Sequence, residues 1–226
     1  MARPRTITDE RLLAAAGAVI ARVGPAFTLA DVAGEARVSA GTLGHRFGSK
    51  HGLLQAMLRV AIDDARREMA AARAGGGDPV TAVRRALVER YAPLDDPVSA
   101  ANNLAQLAAD LSDERLRAGM AEFYAAVRAG TRALLHRAVD AGALPGAPAV
   151  PVAARILAAV ADGAALHWST RPHGSLRARL AADLDAILVG WRRPPADSRG
   201  EDDADSRGGD DADSRDHADT RRAGHA

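Results

Sequence analysis

Thr42, His45 and Arg46 stand three and four residues apart, a spacing that sets a hydroxyl, an imidazole and a guanidinium on one face of a helix. Such a ridge does not make or break bonds; it reads a polar surface. Thr42 suits a thymine methyl or a phosphate, His45 a base edge or a phosphate, and Arg46 a phosphate, which asks for charge and reach more than for exact placement. Just before the ridge, Ser39, Ala40 and Gly41 form the N-terminal end of the same helix, where unpaired N–H groups and the positive end of the helix dipole favour a phosphate. Lys50, the one lysine of the chain, adds a second positive charge a turn beyond Arg46.

Other chemistries lack their residues. The chain has no cysteine and its seven histidines are dispersed. No H-E-x-x-H or other metal spacing, no phosphate-cradling P-loop and no G-x-S-x-G turn occurs, so neither an enzyme nor a resident cofactor or metal is expected.

The ridge needs a scaffold of the right size. Leu29, Val32, Ala33 and Ala36 recur at helical steps behind Thr28, whose hydroxyl can cap the helix N-terminus. Ser39 caps the following helix, in which Leu43 and Phe47 point inward and leave the polar ridge outside. Only Arg37 to Ser39 separate the two helices, so they cross steeply near the small Ala33 in the geometry of a DNA-binding helix-turn-helix. Ahead of them, Leu12, Ala16, Val19, Ile20 and Val23 predict a supporting helix from Thr8 that Gly24-Pro25 ends.

In this segment the run VSAGTLGHRFGSK (38–50), with a first helix, the Val23-Gly24 link and the threonine cap in the same order, strongly resembles the DNA-binding domain of TetR-type transcriptional regulators. The resemblance implies an N-terminal three-helix head and a helical body that senses a small molecule. It implies a set of residues at the DNA surface: Thr28, Ser39, Ala40, Gly41, Thr42, His45, Arg46 and Lys50. Two positions depart from the family pattern. Arg37 stands where the turn usually has glycine, so a left-handed conformation there would cost about 1 kcal/mol. Gly44 stands where a tyrosine usually contacts phosphate, and a glycine inside a helix costs about 1 kcal/mol of propensity.

No alternating β-branched run persists, and Pro and Gly fall between blocks of Ala, Leu, Val and Arg, so the fold class expected is all-α: the helix-turn-helix head at 1–50, a body at 51–193 for effector binding and dimerisation, and a tail at 194–226. The net charge of +1 conceals a segregation into +3, +3 and −5 over those segments. Arg3 and Arg5 make a basic N-terminal arm able to follow phosphates, or simply a frayed end. The tail is a degenerating octad (ADSRGEDD, ADSRGGDD, ADSRDH) without an apolar face, expected to be disordered. With no secretory signal and no charge-free apolar run of membrane length, a cytoplasmic protein is the expectation.

In the body, helices are expected from Lys50 to about Arg73, Val80 to Tyr91, Asp96 onward, Asp113 to about Ala141, and twice more near 151–170 and 175–192. The third of these carries Val98, Ala101, Leu104, Ala105, Ala108 and Leu111 as its apolar stripe, with Asn103, Gln106 and Asp110 on the opposite edge. Asn103, Gln106, Tyr124 and His167 are the candidate contacts to a small-molecule effector, because polar groups at the border of an apolar wall orient a ligand; a solvated face is the alternative for the first two, and a snorkelling edge residue for Tyr124. The stripe Val152, Ile156, Ala159, Val160, Gly163 and His167, and that of Leu176 to Trp191, fit a four-helix dimer interface, as the resemblance implies, with Trp168 and Trp191 suited to it. Together these expectations describe a ligand-responsive repressor of a palindromic double-stranded DNA operator. The alternative is a helical small-molecule-binding protein in which Arg37 and Gly44 have cost the head its specific DNA affinity.

Overall fold

The computed structural model describes residues 7–194, all of whose regular structure is helical. The basic arm at Arg3 and Arg5 and the acidic repeat beyond Pro194 lie outside the described residues.

The head consists of α1 (Asp9–Val23), α2 (Leu29–Ala36) and α3 (Ala40–Phe47). Each begins on a hydroxyl that accepts a backbone N–H: Thr8 from Arg11, Thr28 from Asp31, and Ser39 from Thr42. At Thr28 the cap is reciprocal, since Asp31 Oδ2 accepts the Thr28 N–H at 2.7 Å. Leu12, Ala16, Val19, Phe27, Val32 and Leu43 close the core beneath, all at most 1% exposed. The 3-10 turn Gly24–Ala26 joins α1 to α2.

Helix α4 (Lys50–Ala74) starts at the head and ends in the body: Leu53 and Leu54 belong to the head core, while Ala65 and Met69 belong to the other. Its N-terminal turn lies so close to α3 that a Cβ on Gly52 would stand 2.1 Å from the Phe47 carbonyl oxygen, so only glycine fits. The body continues with α5 (Pro79–Glu89), α6 (Pro97–Ser112), α7 (Glu114–Asp140), α8 (Val150–Thr170) and α9 (Leu176–Trp191). Aspartates 78, 96 and 113 cap α5, α6 and α7, and Ser175 caps α9. The large core joins α4, α5, α7, α8 and α9 through residues such as Leu87, Leu135, Leu157 and Leu184.

Three expectations are corrected here. Helix α6 is turned around: Val98 is 59% exposed, Leu111 46% and Leu104 37%, and Ala101, Ala105 and Ala108 are exposed with them. Ser99, Ala100, Gln106 and Asp110 are its buried residues; the Ser99 hydroxyl donates to the Pro93 carbonyl and the Gln106 amide to Asp110. In α9, Leu176, Leu180, Leu184 and Leu188 are buried in the protomer's own core instead of standing at an interface, while in α8 the core takes Ala153, Ala154, Leu157, Ala161, Ala164 and Trp168 and leaves the expected interface stripe of Val152, Ile156 and Gly163 partly exposed. A helix apolar on every side offers no contrast by which to choose its inner face. Trp168 is accordingly 1% exposed within the protomer, packed with Ala100 and Leu176, and is not available to an interface.

Candidate nucleic-acid interface and effector cavity

The turn between α2 and α3 is closed by backbone. Arg37 takes the left-handed conformation (φ 58°, ψ 47°), the one non-glycine residue with positive φ among those described. The Val38 N–H reaches back to the Ala33 carbonyl at 2.9 Å, and Val38 is partly buried against the head core, the Schellman ending of a helix. Glycine normally fills such a position, so Arg37 is strained, and it stands exposed ahead of α3.

Beyond the turn, Ser39, Ala40, Gly41, His45 and Arg46 are exposed and Thr42 is half-buried, while Leu43 is fully buried behind them. Ser39 and Thr42 share a hydroxyl hydrogen bond of 3.0 Å, which fixes both side chains at the helix N-terminus. Gly44 has open space where a side chain would stand. Thr28 is exposed but held in its capping box, and its hydroxyl and N–H keep Asp31 below the usual carboxylate range.

Two cations are already engaged. Arg46 pairs with Asp9 at the start of α1. Lys50 turns inward, against its expected place on the DNA backbone: Nζ donates to the carbonyls of Pro25 at 2.6 Å and Phe27 at 2.7 Å and lies 4.1 Å from the centre of the Phe27 ring. The physical reason is local. The 3-10 turn leaves carbonyls aimed at the N-terminus of α4, where only a long flexible cation can satisfy both at once.

The head meets the body chiefly through α6. Asn102 Nδ2 donates to the Ala21 carbonyl in the last turn of α1 at 3.0 Å. Its Oδ1 lies 2.9 Å from where a Cβ would stand on Gly24, itself at φ 65°, so the link closes only over glycine. Nearby, Gln106 Nε2 donates to Asp110 Oδ1 at 2.7 Å, and burial raises the Asp110 carboxyl above its usual range despite that bond. His51 Nδ1 faces Asp113 Oδ2 at 3.4 Å across the same junction.

On the other side of α6 lies a cavity of about 310 Å³. Its polar groups are Tyr91, Asn103, Tyr124, Asp162 and Ser169, and its apolar walls are Leu94, Leu104, Leu107 and Leu166 with Ala100 and Ala165. Tyr91 donates its hydroxyl to Asp162 Oδ1 at 2.6 Å, joining the end of α5 to α8. Burial, then the Asp162 charge, raises the Tyr91 and Tyr124 hydroxyls above the ordinary tyrosine range, so both rings stay neutral. A second cavity of about 230 Å³, bounded by Ile20 of α1 and Leu54 and Met57 of α4, shares Asn103 and Leu107 with the first.

Of the four effector candidates, Asn103 and Tyr124 line the first cavity and Gln106 the second. His167 lines neither; it is exposed on α8, because five residues carry it well round the helix from Asp162. Sequence reasoning missed Tyr91 and Asp162, which lie 71 positions apart and meet only in the fold.

Comparison with known proteins agrees with this architecture. Residues 12–57 match the model of the bacterial regulatory proteins of the tetR family, and residues 79–191 match that of the C-terminal part of the BetI-type transcriptional repressors. The chain belongs to the TetR family. A transcriptional regulator from Rhodococcus sp. Rha1 is 26% identical with a TM-score of 0.64, over 84% of this chain and all of its own. A TetR transcriptional regulator from Streptomyces coelicolor is 26% identical, with a TM-score of 0.59 over 84% of this chain and all of its own. FadR of Bacillus subtilis, solved with stearoyl-CoA, shares the fold (TM-score 0.68, 81% of this chain, 99% of its own) at 18% identity. No curated protein matches the chain. As a TetR-family protein it is a ligand-responsive DNA-binding transcriptional regulator; such regulators are in general not enzymes.

Proposed function

We propose that the chain works in the cytoplasm as a homodimeric repressor, binding a roughly palindromic operator and releasing it when a small molecule enters the cavity beside α6. The observation that carries this is the N-terminal end of α3: its N–H groups, the joined Ser39 and Thr42 hydroxyls and His45 stand exposed on a fully buried Leu43. That surface is exposed and polar, with the Ser39 and Thr42 side chains fixed to one another, which suits entry into a major groove. Arg37 joins it at the turn, and Arg46 exchanges Asp9 for a phosphate on binding. Thr28 stands at the edge, its hydroxyl already used by its cap.

Pairing of two chains is supported by what α8 and α9 leave outside. An 18-residue stretch of helix α8 has a mean hydropathy of 1.3, with only a third of it buried inside the protomer. Its uncovered face includes Val152, Ile156, Ala159, Gly163 and Leu166, and that of α9 includes Ala178, Ala182, Ala186 and Val189. Small residues let helices approach closely, and a second copy covers the face.

The test is a gel-shift titration of the full chain against DNA upstream of its own coding region, repeated across a salt series. A retarded complex whose affinity falls with salt is expected, and Arg46→Ala flattens the logarithmic salt dependence by about 0.9, the loss of one phosphate contact. A protein that shifts no fragment at low salt, or an Arg46→Ala slope equal to that of the parent, overturns the reading.

A further inference from the structure

We infer that the cavity beside α6 takes a cationic amphiphile, an ammonium group carrying an unbranched apolar chain. The inference rests on the reading of this cavity as the effector site and adds the chemical class of its occupant.

The charge argument comes first. Among the described residues, Asp162 and the two tyrosines are the only ionisable ones lining the cavity, and the tyrosines stay neutral. Asp162 has no salt-bridge partner among the described residues. Tyr91 occupies Oδ1, so the charge is oriented while Oδ2 keeps an acceptor free. The Arg90 guanidinium lies over the Phe123 ring, 4.9 Å from its centre, and its charge acts on both tyrosine hydroxyls less strongly than that of Asp162. A carboxylate or phosphate entering here would meet a like charge that Arg90 only partly offsets.

The rings supply the second half of the head-group site. Tyr124 is held edge-on by Phe123, centroids 5.5 Å apart at 70°, and Tyr91 is pinned by its hydroxyl. Two oriented aromatic rings beside one carboxylate attract an ammonium through both ring quadrupole and charge. Apart from the Asn103 amide and the Ser169 hydroxyl, the remaining wall is aliphatic, with Leu94, Leu104, Leu107 and Leu166, and accepts a chain but no second charged group. Leu107 and Asn103 are also the wall of the second cavity, whose far side is Ile20 of α1 and Met57 of α4. A chain lying on Leu107 therefore presses the partition between the occupant and the two helices that carry the head.

The experiment is calorimetric titration of the full-length protein with octyltrimethylammonium. Octanoate and octan-1-ol serve as anionic and neutral probes of the same chain, and tetramethylammonium as the head group alone. Octyltrimethylammonium is expected to bind at least about tenfold tighter than each of the other three. Asp162→Asn reduces the ratio of cation to alcohol affinity at least about tenfold, and Tyr124→Leu, which leaves the carboxylate in place, lowers the same ratio as an independent check should the first variant fold poorly. Octanoate binding as tightly as the cation, tetramethylammonium binding as tightly as its octyl derivative, or both variants keeping the parent ratio overturns the inference. The two readings fail separately: ligand-free protein that retards no promoter fragment refutes the regulator alone, while a promoter complex from a protein with no cation preference refutes the cationic occupant alone.

Discussion

Asp31 in the head and Asp110 in the body are both aspartates of short polar clusters, yet their carboxyls are displaced in opposite directions. Asp31 is exposed and held ionised by the Thr28 hydroxyl and N–H; Asp110 is buried, and desolvation outweighs the single bond from Gln106. The same contrast runs through the surroundings. In the head every helix start is capped by a neighbouring hydroxyl over a closed apolar core. Around α6, apolar residues face out, polar ones face in, and Gln106 Oε1 and His51 Nε2 are buried without hydrogen-bond partners among the described residues. A surface that reads DNA benefits from one fixed shape, whereas a sensor needs an alternative arrangement within reach, and incomplete polar satisfaction keeps that alternative close in energy.

Gly52→Ala tests the rigid half hardest. The added methyl meets the Phe47 carbonyl, and a destabilisation of about 3 kcal/mol is expected by urea titration, with DNA retardation lost. A stability within error of the parent would mean that the α3–α4 junction yields freely and that the contrast is false. Lys50→Met comes next. It strips two carbonyls of a charged donor, for about 2 kcal/mol; it should lower the urea midpoint while leaving the salt slope of DNA binding unchanged. A reduced slope at unchanged stability would return Lys50 to the duplex.

Arg37→Gly relieves the left-handed turn and is expected to raise stability by about 1 kcal/mol, while DNA affinity falls through loss of a cation at the entrance to α3. The two effects separate in thermal melts and gel shifts of the same preparation. The smallest effect is at Asp110. Because its folded carboxyl lies above the unfolded value, its contribution is complete at pH below about 4 and is lost as pH rises through the folded value. Asp110→Asn should therefore match the parent near pH 4 and exceed it at pH 7. Asp31 behaves oppositely: its contribution is present above the unfolded value and fades as the solution is acidified.

The head was legible because its signals are local. Thr28 and Asp31, or Ser39 and Thr42, act over three residues, and Leu43 with Phe47 needs only helical periodicity. Lys50 was misplaced because its partners, Pro25 and Phe27, are carbonyls more than twenty positions upstream, and a backbone acceptor leaves no mark in a sequence. Helix α6 misled for a related reason. Asn102 is held by the Ala21 carbonyl and packs on Gly24, 81 and 78 positions away, which turns a polar edge inward and sends Val98 and Leu111 out. Of the cavity, Asn103 and Tyr124 could be picked out as polar groups at an apolar border. Tyr91 and Asp162 could not, since nothing local announces that the end of α5 abuts α8.

The uncovered apolar flank of α8 has a consequence for quantity as well as for shape. If a second copy is what shields Val152, Ile156 and Leu166, folding and association share one equilibrium, and the melting temperature climbs with protein concentration. The abundance of such a regulator then sets its own persistence: scarce chains, mostly single, unfold and are degraded faster than plentiful ones, which sharpens the difference between a cell that makes a little of it and one that makes more.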